Sequence, residues 1–253
     1  MMVATDFTLA GYRALVESLV GRGYMVVGYG EADPAARHLI LRHDLDMSLE
    51  AALRIASIEA ELAIKASYFV LLRTEMYNPW SEQGQKHLHR IMGFGHEIGL
   101  HLDCSLYPDD PDALDRAAME ECRTLEAVTG TSVKTVSFHR PAAQLLGWAE
   151  KIGGRRHTYQ PRFYSDMGYC SDSRGAWRHG HPLDHPAMVE ERAMQLLTHP
   201  IWWNRAAPLD PVATLDRFRG ERDGVLAAAL SANCIPYRET RGAAPSPLKR
   251  DDE

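Results

Sequence analysis

At 253 residues, with 45% hydrophobic and 25% charged side chains, the chain has the makeup of a folded globular protein and excludes wholesale disorder. Its length suits one α/β barrel domain, and a formal charge of -6 gives no electrostatic reason to expect nucleic acid or an anionic membrane as partner. Cys104, Cys122, Cys170 and Cys234 lie far apart without a C-x-x-C pair, which excludes a zinc-ribbon spacing and a disulfide framework and leaves reduced thiols.

Residues 1–6 carry no basic segment leading into an apolar core, so no secretory signal is read and a cytoplasmic location is expected. No uninterrupted apolar stretch has the length of a membrane span. Residues 7–19 read as a helix, with Leu9, Tyr12, Leu15 and Leu19 near helical spacing and Gly21 as its stop. A strand at 24–27 and a Pro34 loop precede the apolar run 39–46, which is too short for a helix and too apolar for a surface loop. A helix at 49–63 and a strand at 65–72 complete a βαβ unit. The alternation continues with a helix at 82–92, a strand at 97–101, a helix at 110–129, a strand at 133–138 and a helix at 142–152. Beyond Gly153 the periodicity blurs. A strand around Tyr169 and Cys170, a long loop at 174–186, a clear strand at 194–199 and a long helix at 212–232 follow. One α/β domain over 1–240, closed or nearly closed into a barrel, and a disordered tail at 241–253 are expected.

The polar residues cluster at strand ends. In an extended strand Asp44 and Asp46 project to one face and His43 and Leu45 to the other, so the strand ends in a carboxylate pair able to hold a cation. The plainer reading, one Asp capping the next helix, is weaker because Ser48 already offers a capping hydroxyl. His101 ends another strand, His139 and Arg140 follow a third, and His199 ends the last. In a parallel α/β barrel the C-terminal strand ends share one face, so these residues converge there. A lone histidine at a strand end is more often structural; several such ends together favour a site. His96 falls on the face opposite His101, His87 and His89 read as a solvated helix face, and His179, His181 and His185 in the irregular loop carry no assignment.

Five segments, in order and spread over residues 39–203, resemble the polysaccharide deacetylases, the NodB-homology group of carbohydrate esterases (family four-like), with this chain as a divergent member. They are Arg42-His43-Asp44-Leu45-Asp46, the run from Gly95 through His96 to His101, Ser137-Phe138-His139-Arg140-Pro141, the run from Tyr169 through Asp172 to Trp177, and Leu197-Thr198-His199-Pro200. The resemblance implies an irregular (β/α) barrel, a divalent metal, usually zinc, and hydrolysis of N-acyl groups on sugars. By position, Asp44 resembles the general base, Asp46 the carboxylate ligand, His101 the first histidine ligand and His199 the general acid. Arg140 is implied to pair with and orient the base, and Asp172 with Trp177 to build the pocket wall; beside the resemblance, Trp177, Trp202 and Trp203 offer rings to stack on a sugar, with Trp202 placed in the substrate pocket. Two departures stand out. Leu45 separates aspartates that are adjacent in the family, and Ser105 occupies the place of the family's second histidine. Asp103 and His139 are both available as the third ligand, and His139 is preferred because imidazole suits zinc.

The expected activity is therefore metal-dependent removal of an acetyl or similar N-acyl group from an amino sugar or sugar-linked precursor. Two other readings are carried. One is a non-catalytic sugar- or metal-binding protein on the same barrel, motivated by Ser105; the other is a hydrolase of another C–N bond, such as a cyclic amide.

Overall fold

The computed structural model describes residues 7–178 and 180–241. Its elements alternate as the sequence periodicity demands: α1 (Leu9–Gly21), β1 (Met25–Val26), β2 (His38–Leu45), α2 (Leu49–Glu61), β3 (Ser67–Leu71), α3 (Glu82–Gly93), β4 (Glu97–Asp103), α4 (Pro111–Thr129) and β5 (Thr135–His139). Then come β6 (Arg156–His157), α5 (Pro161–Tyr164), β7 (Gly168–Ser171), α6 (Pro186–Val189), β8 (Met194–Thr198) and α7 (Pro200–Trp203). By packing, this unit ends at Pro208 and a second begins at Leu209. The second holds α8 (Pro211–Asn233), opened by an Asp210 cap that accepts from the amides of Val212 and Ala213, and α9 (Ile235–Arg241). No helix among the described residues is long and apolar enough to cross a membrane.

All strand pairs are parallel, in the order β6-β5-β4-β3-β2-β8-β7 with β1 beside the first residues of β2. β2 and β5 are three strand spacings apart, about 14 Å across a flat sheet. Yet Ser137 on β5 donates to Asp44 on β2 at 3.2 Å, so the sheet must curl until its inner faces meet. The result is an irregular half-barrel. Among the described residues no pairing joins β6 to β7, so the seam between them stays open. Val27, Tyr29, Ile40, Phe69, Phe163 and Met167 pack its floor, where Gln195 donates to the carbonyls of Phe163 (2.7 Å) and Thr158 (3.2 Å) and accepts from the Tyr29 hydroxyl.

The tight curl explains Gly99 on the inner face of β4. A methyl group there would lie 2.5 Å from the Phe69 ring and 2.8 Å from the Thr135 carbonyl oxygen. Gly99→Ala is expected to cost about 1–3 kcal/mol by overpacking. A urea midpoint equal to that of the wild type would show that the wall gives way freely.

The outer face of β2 carries a buried polar cluster. Glu59 of α2 accepts from the Tyr12 hydroxyl at 2.6 Å, from His43 Nε2 at 2.8 Å and from the Tyr68 hydroxyl. Burial would raise its pKa, but His43, with the Tyr12 hydroxyl, holds it below its ordinary value. His96 accepts the Ala66 amide at Nδ1 and faces the Ala56 carbonyl with Nε2 at 3.1 Å, the pattern of a neutral ring. His43 and His96 are thus structural, on the side of the sheet away from Asp44.

Two sequence expectations are corrected. The helix at 142–152 is only a 3-10 turn at Ala143–Leu145, because Gly147 takes φ 84 and Gly153 and Gly154 take φ 54 and 74 to close a bridge between Ile152 and Arg155. The irregular stretch beyond Gly153 contains β6 and the short helices α5 and α6. Its His181 and His185 accept the amides of Leu183 and Ala187, acting as caps; His179 lies outside the described residues. The tail at 242–253 is also outside them, while Arg241 closes α9.

Candidate active site

The C-terminal strand ends bring the distant polar residues together. Asp46, just past β2, half-buried, places Oδ1 3.1 Å from His101 Nε2 and 3.5 Å from His139 Nδ1. One ligand atom from each of the three residues lies within 4.8 Å of the other two. His139 reaches this place because it sits directly across from Asp103 in the β4–β5 register, one strand over from His101. Ser105 is exposed and donates to Asp103 Oδ1 at 2.7 Å instead of facing the cluster.

The hydrogen bonds fix what these atoms offer. The Ser137 hydroxyl donates its single proton to Asp44 Oδ1 at 3.2 Å, so the close contact between Ser137 Oγ and His101 Nδ1 requires Nδ1–H as donor. In the neutral ring that arrangement leaves the Nε2 lone pair aimed at Asp46. Burial keeps the His139 pKa below its ordinary value, so its ring too is neutral near pH 7. Asp46 is held ionised: burial opposes this, but the close approach of His101 and the nearby His199 charge lower its pKa. Its Oδ1 is buried and has no hydrogen-bond partner. A carboxylate oxygen and an imidazole lone pair 3.1 Å apart repel one another unless a cation, a proton or a metal ion, lies between them. Tetrahedral ligands at zinc distances stand about 3.3 Å from one another, matching the 3.1 and 3.5 Å separations. The residues present therefore fit a divalent metal, with His101 oriented from behind as such ligands are.

Below the cluster lies Asp44, 3% exposed. Burial would raise its pKa, but Arg42 reverses the shift and lowers it. The Arg42 guanidinium is entirely buried and grips both oxygens, Nε to Oδ1 at 3.0 Å and Nη2 to Oδ2 at 2.7 Å. It lies 4.8 Å from the Tyr159 ring centroid. This corrects the expected role of Arg140, whose Nη2 instead reaches Asp103 Oδ2 at 2.8 Å with its side chain 63% exposed. A φ of 51 at Arg140 turns the chain so that the side chain leaves along the rim.

Above the cluster His199 presents Nε2 3.8 Å from Asp46 Oδ2. Its Nδ1 lies 2.6 Å from Asp172, which also accepts the His199 amide and, at 2.7 Å, the Trp203 indole N–H. Asp172 is completely buried. It is therefore the orienting partner of His199 rather than a pocket wall. Burial alone would depress the His199 pKa, but the charge and hydrogen bond of Asp172, with Asp46 and Asp44 beyond, push it up to about 9. Trp177 is half-buried, 5.9 Å from the Phe7 ring and 6.0 Å from the Trp203 ring. Trp202 is 8% exposed and offers too little ring face to stack on a sugar.

No family model and no curated protein sequence matches the chain. The fold is that of a curled parallel α/β half-barrel, and the chain is similar to several solved structures at low identity. A family 4 carbohydrate esterase from Bacillus anthracis is 17% identical, with 82% of this chain and 84% of that one covered and a TM-score of 0.44. A family 4 acetyl xylan esterase from Clostridium thermocellum in complex with a cobalt ion is 16% identical over 81% and 84%, TM-score 0.39. A family 4 pseudoenzyme from Bacillus anthracis is 14% identical over 75% and 61%, TM-score 0.40.

Proposed function

We propose that the protein is a metal-dependent hydrolase that removes an acetyl or similar acyl group from the nitrogen of an amino sugar or sugar-linked precursor. One observation carries this reading: the Asp46, His101 and His139 ligand atoms share one small volume, with a buried carboxylate on one side and a carboxylate-held imidazole on the other. Zinc suits this mix of one carboxylate and two imidazoles. A bound divalent ion would polarise the acyl carbonyl and acidify water. Asp44, kept ionised by Arg42, takes the proton from attacking water. His199, kept protonated by Asp172, delivers a proton through Nε2 to the departing nitrogen, which leaves poorly as an anion.

A second reading has one observation in its favour. Both oxygens of Asp44 are engaged by Arg42 and almost none of the residue meets solvent, which suits a barrel that binds sugar or metal without turnover. Metal analysis joined to an acetate-release assay on N-acetylated amino sugars separates the two. Stoichiometric metal with acetate release supports the hydrolase; stoichiometric metal with none, across acetyl and formyl substrates and cyclic amides, contradicts it.

The acid has its own test. In metal-free protein the His199 ring is expected to titrate at about 9 by NMR. Asp172→Asn removes the charge that opposes burial, so the titration should fall to or below the ordinary histidine value of about 6.5. An unchanged titration in the variant would remove Asp172 from this role.

A further inference from the structure

The opposite end of the barrel holds a second feature that the catalytic reading does not use. Beneath β5 and β6, at the N-terminal strand ends, lies a cavity of 670 Å³ lined by Lys134, Lys151, Arg155, Arg156 and Arg162, with no aspartate or glutamate in its lining. Lys134 stands just before β5 and Arg156 opens β6, so the cavity lies one strand length, roughly 16 Å, from His139. In a chain with a formal charge of -6 this is an unusual concentration of cations.

Accounting for each cation shows what is left over. Arg155 is consumed: it donates to the Val133 and Gly153 carbonyls and pairs with Glu126 at 2.8 Å. Arg162 spends its guanidinium on the Ala32 carbonyl, which supplies no negative charge. Lys134, Lys151 and Arg156 make no ion pair among the described residues. Gly30 gives the Arg156 guanidinium its place, since a Cβ there would stand 3.0 Å from Nη1. An adjoining 770 Å³ cavity shares Gly30, Lys134 and Arg156 and brings in Glu31 and Glu97, so the uncompensated charge is confined to the β5–β6 side.

Four cations on one wall without a carboxylate among them repel one another. A multiply charged anion removes that repulsion. The volume falls in the range of small-molecule sites, and the forked guanidinium with two flanking ammonium groups matches several phosphate oxygens better than one carboxylate. We propose that this cavity binds a diphosphate group, free or as the tail of a small nucleotide, at the end of the barrel remote from the metal centre.

Calorimetric titration of the full chain with sodium diphosphate and with ADP, at low and matched ionic strength, tests the proposal. Diphosphate also chelates metals, so the titrations are repeated on Asp46→Ala, where binding is expected to be unchanged. The double variant Lys134→Gln/Lys151→Gln should bind at least about tenfold more weakly. Lys86→Gln, on α3, should bind as the wild type does. ADP binding more tightly than diphosphate would identify the nucleotide as the source; equal affinities would identify the free anion. Absence of heat with either probe, loss of binding in Asp46→Ala, or equal weakening by Lys86→Gln would overturn the site.

Discussion

Asp46→Ala is expected to yield a folded protein that retains no stoichiometric metal and releases no acyl group. The half-buried Asp46 lies beyond the last residue of β2 and supplies no core packing, so its loss leaves the sheet intact. It is the one carboxylate in a three-residue ligand set whose other members are imidazoles. Changing groups that merely orient metal ligands typically lowers affinity 10–100-fold, so removing the charged ligand itself should lower it by more than about 100-fold. Asp44→Ala should behave differently, keeping the ion and losing turnover, because Asp44 touches Arg42 and Ser137 rather than facing both histidines. Metal quantification after dialysis, beside the acyl-release assay, checks both variants. Retention of metal by Asp46→Ala with its loss from Asp44→Ala would exchange the two roles.

Arg42→Met is expected to cost about 3–5 kcal/mol, the range for breaking one side of a buried ion pair. Arg42 holds both oxygens of a carboxylate that has almost no contact with water. Without the guanidinium the largest cause that opposes burial is gone and the Asp44 pKa rises, so activity at neutral pH should fall as the ionised fraction of the base falls. The sign of the pH dependence follows. In the wild type the folded pKa of Asp44 is depressed, so its contribution to stability is complete above the unfolded carboxylate pKa and is lost as pH falls through the folded value. The gap between wild type and Arg42→Met in urea denaturation should therefore narrow in acid. Arg42→Met/Asp44→Asn should recover most of the lost stability, since it removes the stranded charge along with its partner. Equal stability of wild type and Arg42→Met at pH 7 would show that Asp44 is paired elsewhere.

How much of this was legible in the sequence depends on the range of the interaction. The alternation of β2 placed Asp44 and Asp46 on one face and His43 on the other, and the apolar spacing of β4 aimed His101 inward; both follow from the two-residue period of a strand. The structure accordingly brings Asp46, His101 and His139 together and sets His199 beside them. The partner of Asp44 was also within reach, because Arg42 lies two residues before it on the same face. Resemblance to a family pattern directed that role to Arg140, whose positive φ no pattern of apolar residues reveals. Ser137 carried a weaker signal still: its value lies in a register that sets it across from His101, and register between strands is not written in either strand alone. Asp172 reads from the sequence as one polar residue in an irregular segment, and only the β7–β8 pairing shows that it faces His199. The lost helix at 142–152 has a local cause in Gly147, which apolar spacing concealed.

Metal-edge anomalous diffraction from metal-loaded crystals tests the central claim most directly. The expected result is a single ion bound at about 2.0–2.2 Å by Asp46 Oδ1, His101 Nε2 and His139 Nδ1. An ion bound without His139, or no ion between Asp46 and His101, would contradict the account.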